Sequence, residues 1–537
     1  MMPGMRPLFD AAAVRDADAR AIAGGIPGEV LMETAGTLAA REILAAFPPG
    51  SGATVLVGPG NNGGDGMVVA RHLAVAGWDV RVQAPGAREP GTPDGALMTA
   101  RAAEAGIGVA EVDLHELRAG GRVVVDALLG TGTAGAPRGG VAEAVEAVVA
   151  SGAPVAALDM PTGVDGDTGA APGPAVRADL TITFAAEKVG LRVAPGRELA
   201  GRVVVADIGI PRDVRIDPAA WLATDAVIAA IPPRAAGDDK YRAGGVLAIA
   251  GAPGMSGAAR LCTRAALRAG AGIVAACVPH EVRAEVAIGT PEVMVTGVAG
   301  HGGMSVDALE AIMHQAARVG AVVLGPGLGR DAGTTSLVRA VLAGVALPMV
   351  LDADGLWHLG DDLAALRERP DPTVITPHAG EAARLLGITR DEVDAGRLDA
   401  ARMLCERSGA VALLKGPGTI ICAPGSLPVV LEGGTPALAT AGSGDVLSGV
   451  IAALLARGMD AADAATCAAA LHARAGIAAR RGDGTIASDI IEALPEALVT
   501  ARTASAGTGM AHRTGMAPGT ALAPGAHAAI GGAGEGS

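Results

Sequence analysis

The sequence predicts an α/β protein with two domains and a C-terminal tail. Short runs rich in Val and Ile alternate with Ala-rich stretches of helical length through most of the 537 residues. This alternation is typical of βαβ units that build a mainly parallel sheet. The length allows two domains with separate cores. Seven residues are aromatic, namely three Trp, three Phe and one Tyr, so the cores must consist of Ala, Val, Leu and Ile.

The predicted strands fall into two sets. The first set comprises residues 53–57, 79–83, 123–126, 155–159, 181–184 and 203–207. The second set comprises residues 245–250, 272–278, 321–325, 349–352, 373–376 and 411–415. The pattern loosens over residues 213–233, so we predict one domain over residues 1–222 and another over residues 223–500. From residue 501 large apolar side chains almost disappear, and we predict a disordered low-complexity tail over 501–537.

Charge and cysteine content exclude several classes of function. A formal charge of −14 argues against binding to nucleic acid or to an anionic membrane. Apolar runs are interrupted before they could span a bilayer, and no secretion signal is evident. Five scattered cysteines form no CxxC pair, which argues against a disulfide framework or a zinc site. We expect a cytoplasmic homo-oligomer that acts on small molecules.

The loop after the first predicted strand reads GPGNNG over residues 58–63. It matches the dinucleotide-binding pattern, but Asp79 begins the next strand, whereas that fold needs an acidic residue at the strand end. A flexible turn before a helix N-terminus instead predicts an anion site that suits phosphate. A tight turn with positive φ would also explain the glycines, but it would not explain Asn61, Asn62 and Asp65.

Polar residues follow other strands of the first set. Asp126 and Asp159 end two predicted strands, and Thr162 follows the second. Ligands of parallel sheets bind beyond the carboxyl ends of strands, so we expect these residues to meet Asn62 at one site. A single strand-end Asp is often only a helix cap, but three loops share the pattern here.

Three motifs in this half resemble the epimerase domain of the NAD(P)H-hydrate repair enzymes: PGNNGGDG at 59–66, DALLGTG at 126–132 and DMPTGVDGDTG at 159–169. The resemblance covers about residues 5–215 and implies a Rossmann-like three-layer sandwich. It implies that Asn62, Asp126 and Thr162 bind K⁺, and we predict that Asp159 is the catalytic acid/base. The hydrate-binding residues that it implies are Asn61, Asn62, Gly63, Gly64, Asp65, Gly130, Thr131, Gly132, Thr133, Ala134, Gly135, Ala136 and Asp159.

Lys188 has two interpretations. It could add positive charge near the pyrophosphate of the substrate, or it could be a solvated lysine at a strand end.

In the second half, Asp445 follows a turn of small residues that opens a helix. Backbone N–H groups at such a turn can stabilise the charge of a phosphoryl group, while the carboxylate accepts a proton from an attacking hydroxyl. The structural alternative is a capped helix start. His378 also follows a strand end, where a lone histidine is more often structural.

The motif TAGSGDVLSG at 440–449, with KYRAGGVL at 240–247 and GTIASD at 484–489, resembles the ADP-dependent NAD(P)H-hydrate dehydratases over about residues 223–500. The resemblance implies a ribokinase-like fold, NADH hydrate and NADPH hydrate as substrates, ADP as co-substrate and Mg²⁺. The hydrate contacts that it implies are Ala258, Gly327, His378 and Asp445. The nucleotide contacts that it implies are Lys415, Gly416, Pro417, Gly418, Thr419 and Gly444.

The implied chemistry repairs a damaged cofactor. Hydration of the nicotinamide ring leaves a hydroxyl at C6, and the lone pair of the adjacent ring nitrogen can expel it. The first domain would interconvert the R and S hydrates by reversible loss of water. In the second, Asp445 would deprotonate the hydroxyl of the S form, which attacks the terminal phosphate of ADP to give AMP, phosphate and NAD(P)H.

Two other functions stay open at the level of the residues. One is a ribokinase-like small-molecule kinase with a nucleotide-binding regulatory domain, and the other makes the first domain a non-enzymatic binding module. Product analysis separates these alternatives, since only the repair enzyme regenerates NAD(P)H with release of phosphate.

Overall fold

Two largely parallel sheets organise the computed structural model, which describes residues 2–87, 90–133, 135–300 and 302–513. The strands, in chain order, are β1 (Met5–Leu8), β2 (Gly52–Val57), β3 (Asp79–Ala84), β4 (Val109–Glu111), β5 (Val123–Ala127), β6 (Val155–Leu158), β7 (Leu180–Phe184), β8 (Arg202–Ala206), β9 (Ala220–Ala223), β10 (Gly245–Ile249), β11 (Ile273–Pro279), β12 (Val293–Val298), β13 (Ala321–Leu324), β14 (Met349–Leu351), β15 (Thr373–Ile375), β16 (Val411–Leu414), β17 (Ile420–Cys422) and β18 (Val429–Leu431).

The α-helices are α1 (Ala11–Ala23), α2 (Gly28–Ala46), α3 (Asn61–Val75), α4 (Pro93–Glu104), α5 (Leu114–Ala119), α6 (Gly140–Ser151), α7 (Gly196–Leu199), α8 (Ser256–Arg268), α9 (Arg283–Gly289), α10 (Leu309–Ala316), α11 (Ala332–Gly344), α12 (Asp354–Leu359), α13 (Ala379–Leu386), α14 (Arg390–Ala395), α15 (Arg397–Ser408), α16 (Ser443–Ala456), α17 (Ala461–Ala478) and α18 (Ala487–Arg513).

The smaller sheet has seven parallel strands in the order β4-β3-β2-β5-β6-β7-β8. The direction of strand succession reverses between β2 and β5, so the loops that follow these two strands leave the sheet on opposite sides. Such a switch point opens a crevice at the carboxyl edge, where ligands of open α/β sheets bind. The loops that begin at Gly58, after β2, and at Leu128, after β5, therefore lie at this crevice.

The larger sheet has eleven strands in the order β1-β9-β18-β17-β16-β15-β14-β13-β10-β11-β12. Its central pairs are parallel, whereas β16–β17, β17–β18 and β1–β9 are antiparallel. Here the succession reverses between β10 and β13. The corresponding crevice therefore lies beside the loops that lead to α8 and α11.

Small side chains allow the helices to lie close to both sheets. A Cβ atom at Gly66 of α3 would lie 2.6 Å from the Cβ of Ala127 on β5, and one at Gly449 of α16 would lie 2.1 Å from the carbonyl oxygen of Cys262 on α8. Residues at both positions must therefore lack a side chain. The five cysteines are all buried and free. Among the described helices, none has the length and apolar character needed to cross a membrane.

The twelve strands predicted from the sequence are all confirmed to within one residue at either end. Six further strands, β1, β4, β9, β12, β17 and β18, were not predicted. The loosely patterned stretch 213–233 contains β9 and a 3₁₀ helix, Asp225–Ala230, with Leu222 and Val227 fully buried. It is thus part of the core of the larger sheet.

Two parts of the predicted domain limits differ from the structure. Strand β1 lies within the range assigned to the first domain, but it pairs with β9 in the larger sheet. The predicted tail began at residue 501, whereas α18 continues to Arg513, and Arg502 donates hydrogen bonds to the carbonyl groups of Ile231 and Pro232. The rest of the predicted tail, residues 514–537, lies outside the described residues.

Candidate active sites

The loop between β2 and α3 is shaped by close backbone approach. A Cβ atom at Gly58 would lie 1.8 Å from the carbonyl oxygen of Leu128, and one at Gly63 would lie 1.9 Å from that of Gly58. Helix α3 begins at Asn61 with Gly60 as its N-cap, and no side chain caps it. The first N–H groups of α3 therefore face the crevice without a side-chain acceptor, as an anion site requires.

The three residues predicted to bind K⁺ lie at this switch point. Thr162 donates from Oγ1 to Asp126 Oδ1 at 2.7 Å and from its backbone N–H to Oδ2 at 2.8 Å. Burial raises the pKa of Asp126 to about 6, although these hydrogen bonds oppose the shift. Neither Oδ1 nor Nδ2 of the buried Asn62 has a hydrogen-bond partner within the described part of the chain. Such orphaned polar atoms are rare in folded proteins, and both atoms are available to a ligand.

Asp159 and Lys188 form a buried ion pair. Lys188 Nζ lies 2.6 Å from Asp159 Oδ1 and also donates to Thr183 Oγ1 at 3.0 Å and to the carbonyl oxygen of Phe184 at 2.9 Å. Burial alone would raise the pKa of Asp159, but the Lys188 ammonium outweighs it and holds that pKa below its usual value. Asp159 is thus ionised at neutral pH. Its φ of +63° is a strained conformation that turns the residue out of β6.

Lys188 does not fit the expectation of a solvated strand-end lysine. Its side chain is 1% exposed. The sequence contains two other lysines, Lys240 and Lys415. Lys240 is exposed and Lys415 pairs with Asp352 in the larger sheet, so among the described residues Lys188 is the only lysine that pairs with Asp159. The sequence pattern could not reveal the pairing, since 29 residues separate the two partners.

A cavity of about 450 Å³ joins most of the residues predicted for the hydrate site. The predicted residues that line it are Asn61, Asn62, Asp65, Gly130, Thr131, Gly132, Thr133 and Asp159. Gly63 and Gly64 line a neighbouring cavity of about 200 Å³. Gly135 borders a separate small cleft, and Ala136 lies against Gly173. Ala134 lies outside the described residues.

Helix α1 contributes residues that the sequence prediction missed. Arg15 and Asp18 line the cavity, and Arg15 donates a hydrogen bond to the carbonyl oxygen of Thr131 in the opposite loop. The buried residues of this helix include Val14, Ala17 and Ala21, a spacing that places Asp18 beside the apolar stripe. This spacing is the sequence signal that could have identified Asp18 as a cavity residue. Burial raises the pKa of Asp18 to about 6, with a smaller contribution from Asp159 that Lys188 opposes.

The second site centres on an ion pair between Asp352 and Lys415. Lys415 Nζ lies 2.8 Å from Asp352 Oδ1, and Ser448 of α16 donates to Asp352 Oδ2 at 2.6 Å. Burial would lower the pKa of Lys415, but Asp352 and Glu381 outweigh it and raise that pKa. Asp352 was predicted only as a strand end, whereas it anchors the lysine that was predicted to contact the nucleotide.

Asp445 lies in the first turn of α16 beside this pair. Burial raises its pKa to about 7, Asp352 adds to the shift and Lys415 opposes it. A Cβ atom at Gly444 would lie 3.3 Å from Lys415 Nζ, and one at Gly442, where φ is +84°, would lie 3.7 Å from Asp445 Oδ2. The structure therefore brings Lys415, Gly444 and Asp445 together at the N-terminus of a fourteen-residue helix.

Ser443 opens helix α16 and contacts a second residue that the sequence prediction missed. Its Oγ lies 3.1 Å from Nε2 of His472 on α17. Burial lowers the pKa of His472 to about 4, so the imidazole is neutral at pH 7. The pair fixes the hydroxyl at the helix N-terminus without adding a charge there.

The remaining predicted residues occupy two loops around this centre. A Cβ atom at Gly327 would lie 2.9 Å from the Cβ of Ala258, so these two residues are in contact. His378 is the N-cap of α13, where Nδ1 accepts from the backbone N–H of Gly380 and Glu381. Its side chain is 61% exposed, which leaves the ring edge open to a ligand.

The predicted nucleotide turn Lys415–Thr419 touches the first domain. Gly418 has a φ of +59°, and a Cβ atom there would lie 2.9 Å from the carbonyl oxygen of Arg192. Arg197 donates to the carbonyl groups of Leu431 at 2.8 Å and Glu432 at 2.6 Å. This contact joins the segment after Lys188 to the edge of the second site.

Two family models match the chain. The model described as YjeF-related protein N-terminus matches residues 28–190, and the one described as NAD(P)H-hydrate dehydratase matches residues 246–496. Both matches contain the central residues of the respective sites.

Curated relatives resemble the whole chain. A bifunctional NAD(P)H-hydrate repair enzyme of Moorella thermoacetica is 39% identical, with 88% of this chain and 93% of the relative aligned. The enzyme of the same name from Escherichia coli is 35% identical, with coverage of 86% and 88%. A solved ADP/ATP-dependent NAD(P)H-hydrate dehydratase of Bacillus subtilis is 27% identical, with a TM-score of 0.44, over 51% of this chain and 96% of that one. The chain belongs to the family of bifunctional NAD(P)H-hydrate repair enzymes.

Proposed function

We propose that the cavity at the β2/β5 switch point is the epimerase site of this bifunctional repair enzyme, and that the N-terminus of α16 is the dehydratase site. The observation that carries the proposal is the buried Asp159–Lys188 pair, 2.6 Å apart, at the wall of the larger cavity. The pair gives the cavity an ionised carboxylate, as acid–base chemistry at a ring carbon requires.

In the epimerase site, α3, Asp159 and Lys188 have separate roles. The N-terminus of α3 binds the pyrophosphate of the substrate. Asp159, kept ionised by Lys188, accepts a proton from water that returns to C6. Lys188 holds the carboxylate in one position through its bonds to Thr183 and Phe184.

K⁺ fits the polar residues at the switch point between β2 and β5, of which Asn62 lines the cavity. The amide of Asn62 has no hydrogen-bond partner among the residues that the structure describes, Asp126 supplies a buried carboxylate, and Thr162 supplies a hydroxyl. The set carries one negative charge, which a single monovalent cation would neutralise. When bound, the ion would neutralise charge and fix the loop that holds the pyrophosphate. Within the described residues no cluster of three or more His, Cys, Asp or Glu side chains could hold a metal.

In the dehydratase site Asp445 deprotonates the C6 hydroxyl of the S hydrate. We propose ADP as the phosphoryl donor, so that its terminal phosphate passes to the C6 oxygen and AMP is released. The C6–O bond then breaks, phosphate leaves, and loss of a proton from C5 restores the 5,6 double bond. Mg²⁺ would offset the phosphate charge. The backbone N–H groups of α16 and the Lys415 ammonium face the developing negative charge. Asp352 positions that ammonium rather than reacting itself.

The function is tested with separated R and S hydrates of NADH and NADPH. Purified protein should convert the S form to NAD(P)H with one phosphate released, and should use the R form only after epimerisation. Accumulation of a stable phosphoester would instead identify a kinase, which the family match does not favour. Light scattering of the same sample tests the predicted homo-oligomer, and fractionation of cells tests the predicted cytoplasmic location.

Epimerisation is expected to depend on K⁺, and Asp126→Asn should need a higher K⁺ concentration. The substitution removes the only charge of the proposed ligand set, so we expect at least about a tenfold loss of apparent K⁺ affinity. Thr162→Ser keeps the hydroxyl and serves as the control. The measurement is epimerisation rate against K⁺ concentration with melting temperatures alongside. Wild-type activity indifferent to K⁺ would show that the loop holds phosphate without a metal.

A further inference from the structure

Helix α1 brings a carboxyl group to the epimerase cavity that the proposed mechanism has not used. The helix is fixed from both sides, because the N–H of Ala11 donates to Asp167 and Arg15 donates to the carbonyl oxygen of Thr131. Between these contacts Asp18 lines the cavity. Its Oδ1 atom is buried and has no hydrogen-bond partner among the described residues.

An unpartnered buried oxygen in a ligand cavity needs an explanation, because most such atoms in folded proteins are paired. The charged groups that line the cavity with Asp18 are Asp159 after β6, Lys188 after β7, Asp65 on α3 and Asp94 on α4, while Arg15 lies on its own helix. Lys188 is already bonded to Asp159. Asp18 is thus left without a cation of its own, close to two other carboxyl groups.

We propose that Asp18 is the proton donor of the epimerase reaction, acting on the C6 hydroxyl as it leaves. The C6–O bond breaks with its electron pair on oxygen, the Asp18 proton joins it, and water departs while the ring nitrogen takes the positive charge. Water then adds to the other face of C6, and its proton passes to Asp159. Transfer of this proton from Asp159 back to Asp18 through cavity water restores the starting state.

The environments of the two carboxyl groups match these roles. Burial raises the pKa of Asp18 to about 6, whereas Lys188 holds the pKa of Asp159 below its usual value. Two carboxyl groups in one site whose pKa values are pushed apart make an acid and a base. The proton donor must be protonated, so kcat/KM for epimerisation should fall as pH rises above about 6.

This inference rests on the proposed position of the epimerase site, and the experiment distinguishes a wrong position from a wrong role for Asp18. Asp18→Asn should lower kcat/KM for epimerisation by about 10²-fold or more and remove the basic limb of the pH profile. Asp16→Asn, on an exposed i,i+4 pair with Arg20 of the same helix, is the matched control and should behave as wild type. The dehydratase rate of each preparation reports the amount of intact second domain, and the melting temperature reports whether the first domain is folded.

A structural role for Asp18 predicts another result. If Asp18 were structural, Asp18→Asn should have a lower melting temperature than wild type. If Asp18 is the proton donor, the substitution removes a buried charge at pH 8, and the melting temperature should be unchanged or higher. Epimerisation by Asp18→Asn within about twofold of the control, while Asp159→Asn is inactive, would overturn the proton donor and keep the site. Full epimerisation by both would overturn the site itself.

Two further measurements keep the proposal testable if Asp18→Asn does not fold. The wild-type profile must itself show a basic limb near pH 6, and its absence would contradict the proposal. Asp65→Asn removes the other carboxyl group with a raised pKa. If that variant loses the limb, the proton donor is Asp65 and not Asp18.

Discussion

Asp445→Asn is expected to lower the rate of dehydration by at least about 10²-fold and to leave epimerisation nearly unchanged. The first effect is the lower range for removal of a general base, since an amide cannot accept the proton of the C6 hydroxyl. The second follows because the two sites lie on different sheets. The measurement is NADH regenerated and phosphate released from the S hydrate, with epimerisation of the R hydrate in the same preparation.

The pH dependence of dehydration tests whether Asp445 is the general base. Asp445 has a pKa of about 7 because burial and the nearby Asp352 carboxylate disfavour its ionised form. The base acts only when ionised, so the wild-type rate should rise as pH increases through about 7 and level off above it. The residual rate of Asp445→Asn should lack this rise.

A surface substitution controls for indirect effects. Asp361 is exposed two residues beyond the end of α12, and Asp361→Asn should leave both activities and the pH profile as in wild type. The melting temperature of Asp445→Asn should not fall, because the substitution removes a buried charge. Near-normal dehydration by Asp445→Asn would show that another group takes the proton, and the helix N-terminus would then only bind phosphate.

Local sequence patterns predicted the strands that carry the sites, because buried parallel strands appear as continuous Val- and Ile-rich runs. They missed β1 and β9, which pair across more than two hundred residues, as Met5 lies opposite Ala223. Residues 5–8 read MRPL, too short and irregular for a period to be recognised. Only the tertiary pairing makes this segment a strand.

The same limit applies to the sites. Strand-end polar residues were recognised because parallel strands share one carboxyl edge, and Asp126 and Asp159 were found in this way. Asp445 was recognised instead from the small-residue turn that opens α16. The pairs Asp159–Lys188, Asp352–Lys415 and Ser443–His472 were not predicted, because each joins elements that are distant in the sequence. No periodicity indicates which carboxylate a lysine will reach.

The largest effect on the first site is expected for Lys188→Met, which should cost about 3–5 kcal/mol of stability and at least about 10²-fold in epimerisation. The stability loss arises because Asp159 would be left as a buried charge without its cation. Lys240→Met, at an exposed position, is the matched control and should change neither property. The stability of the first domain is measured by chemical denaturation, with unfolding monitored spectroscopically. Dehydration activity measures the amount of intact second domain in the same sample.

Activity and stability can be separated with a second substitution. Replacing both members of a buried ion pair is often nearly neutral for stability, while removing one is not. The double variant with Lys188→Met and Asp159→Asn should therefore recover stability relative to Lys188→Met. It should not recover epimerisation, because the proton acceptor is gone. A double variant that regained activity with its stability would show that the pair is structural.

The pH profile of Lys188→Met then decides whether the lysine acts through Asp159. In the wild type, burial would raise the pKa of Asp159, and the Lys188 ammonium overcomes it. Without the ammonium, burial is the largest remaining influence, so the carboxyl group stays protonated to a higher pH and the acid limb of epimerisation moves upward. A profile that keeps its wild-type acid limb while the rate falls uniformly would show that Lys188 contacts the substrate directly, as a cation for the pyrophosphate.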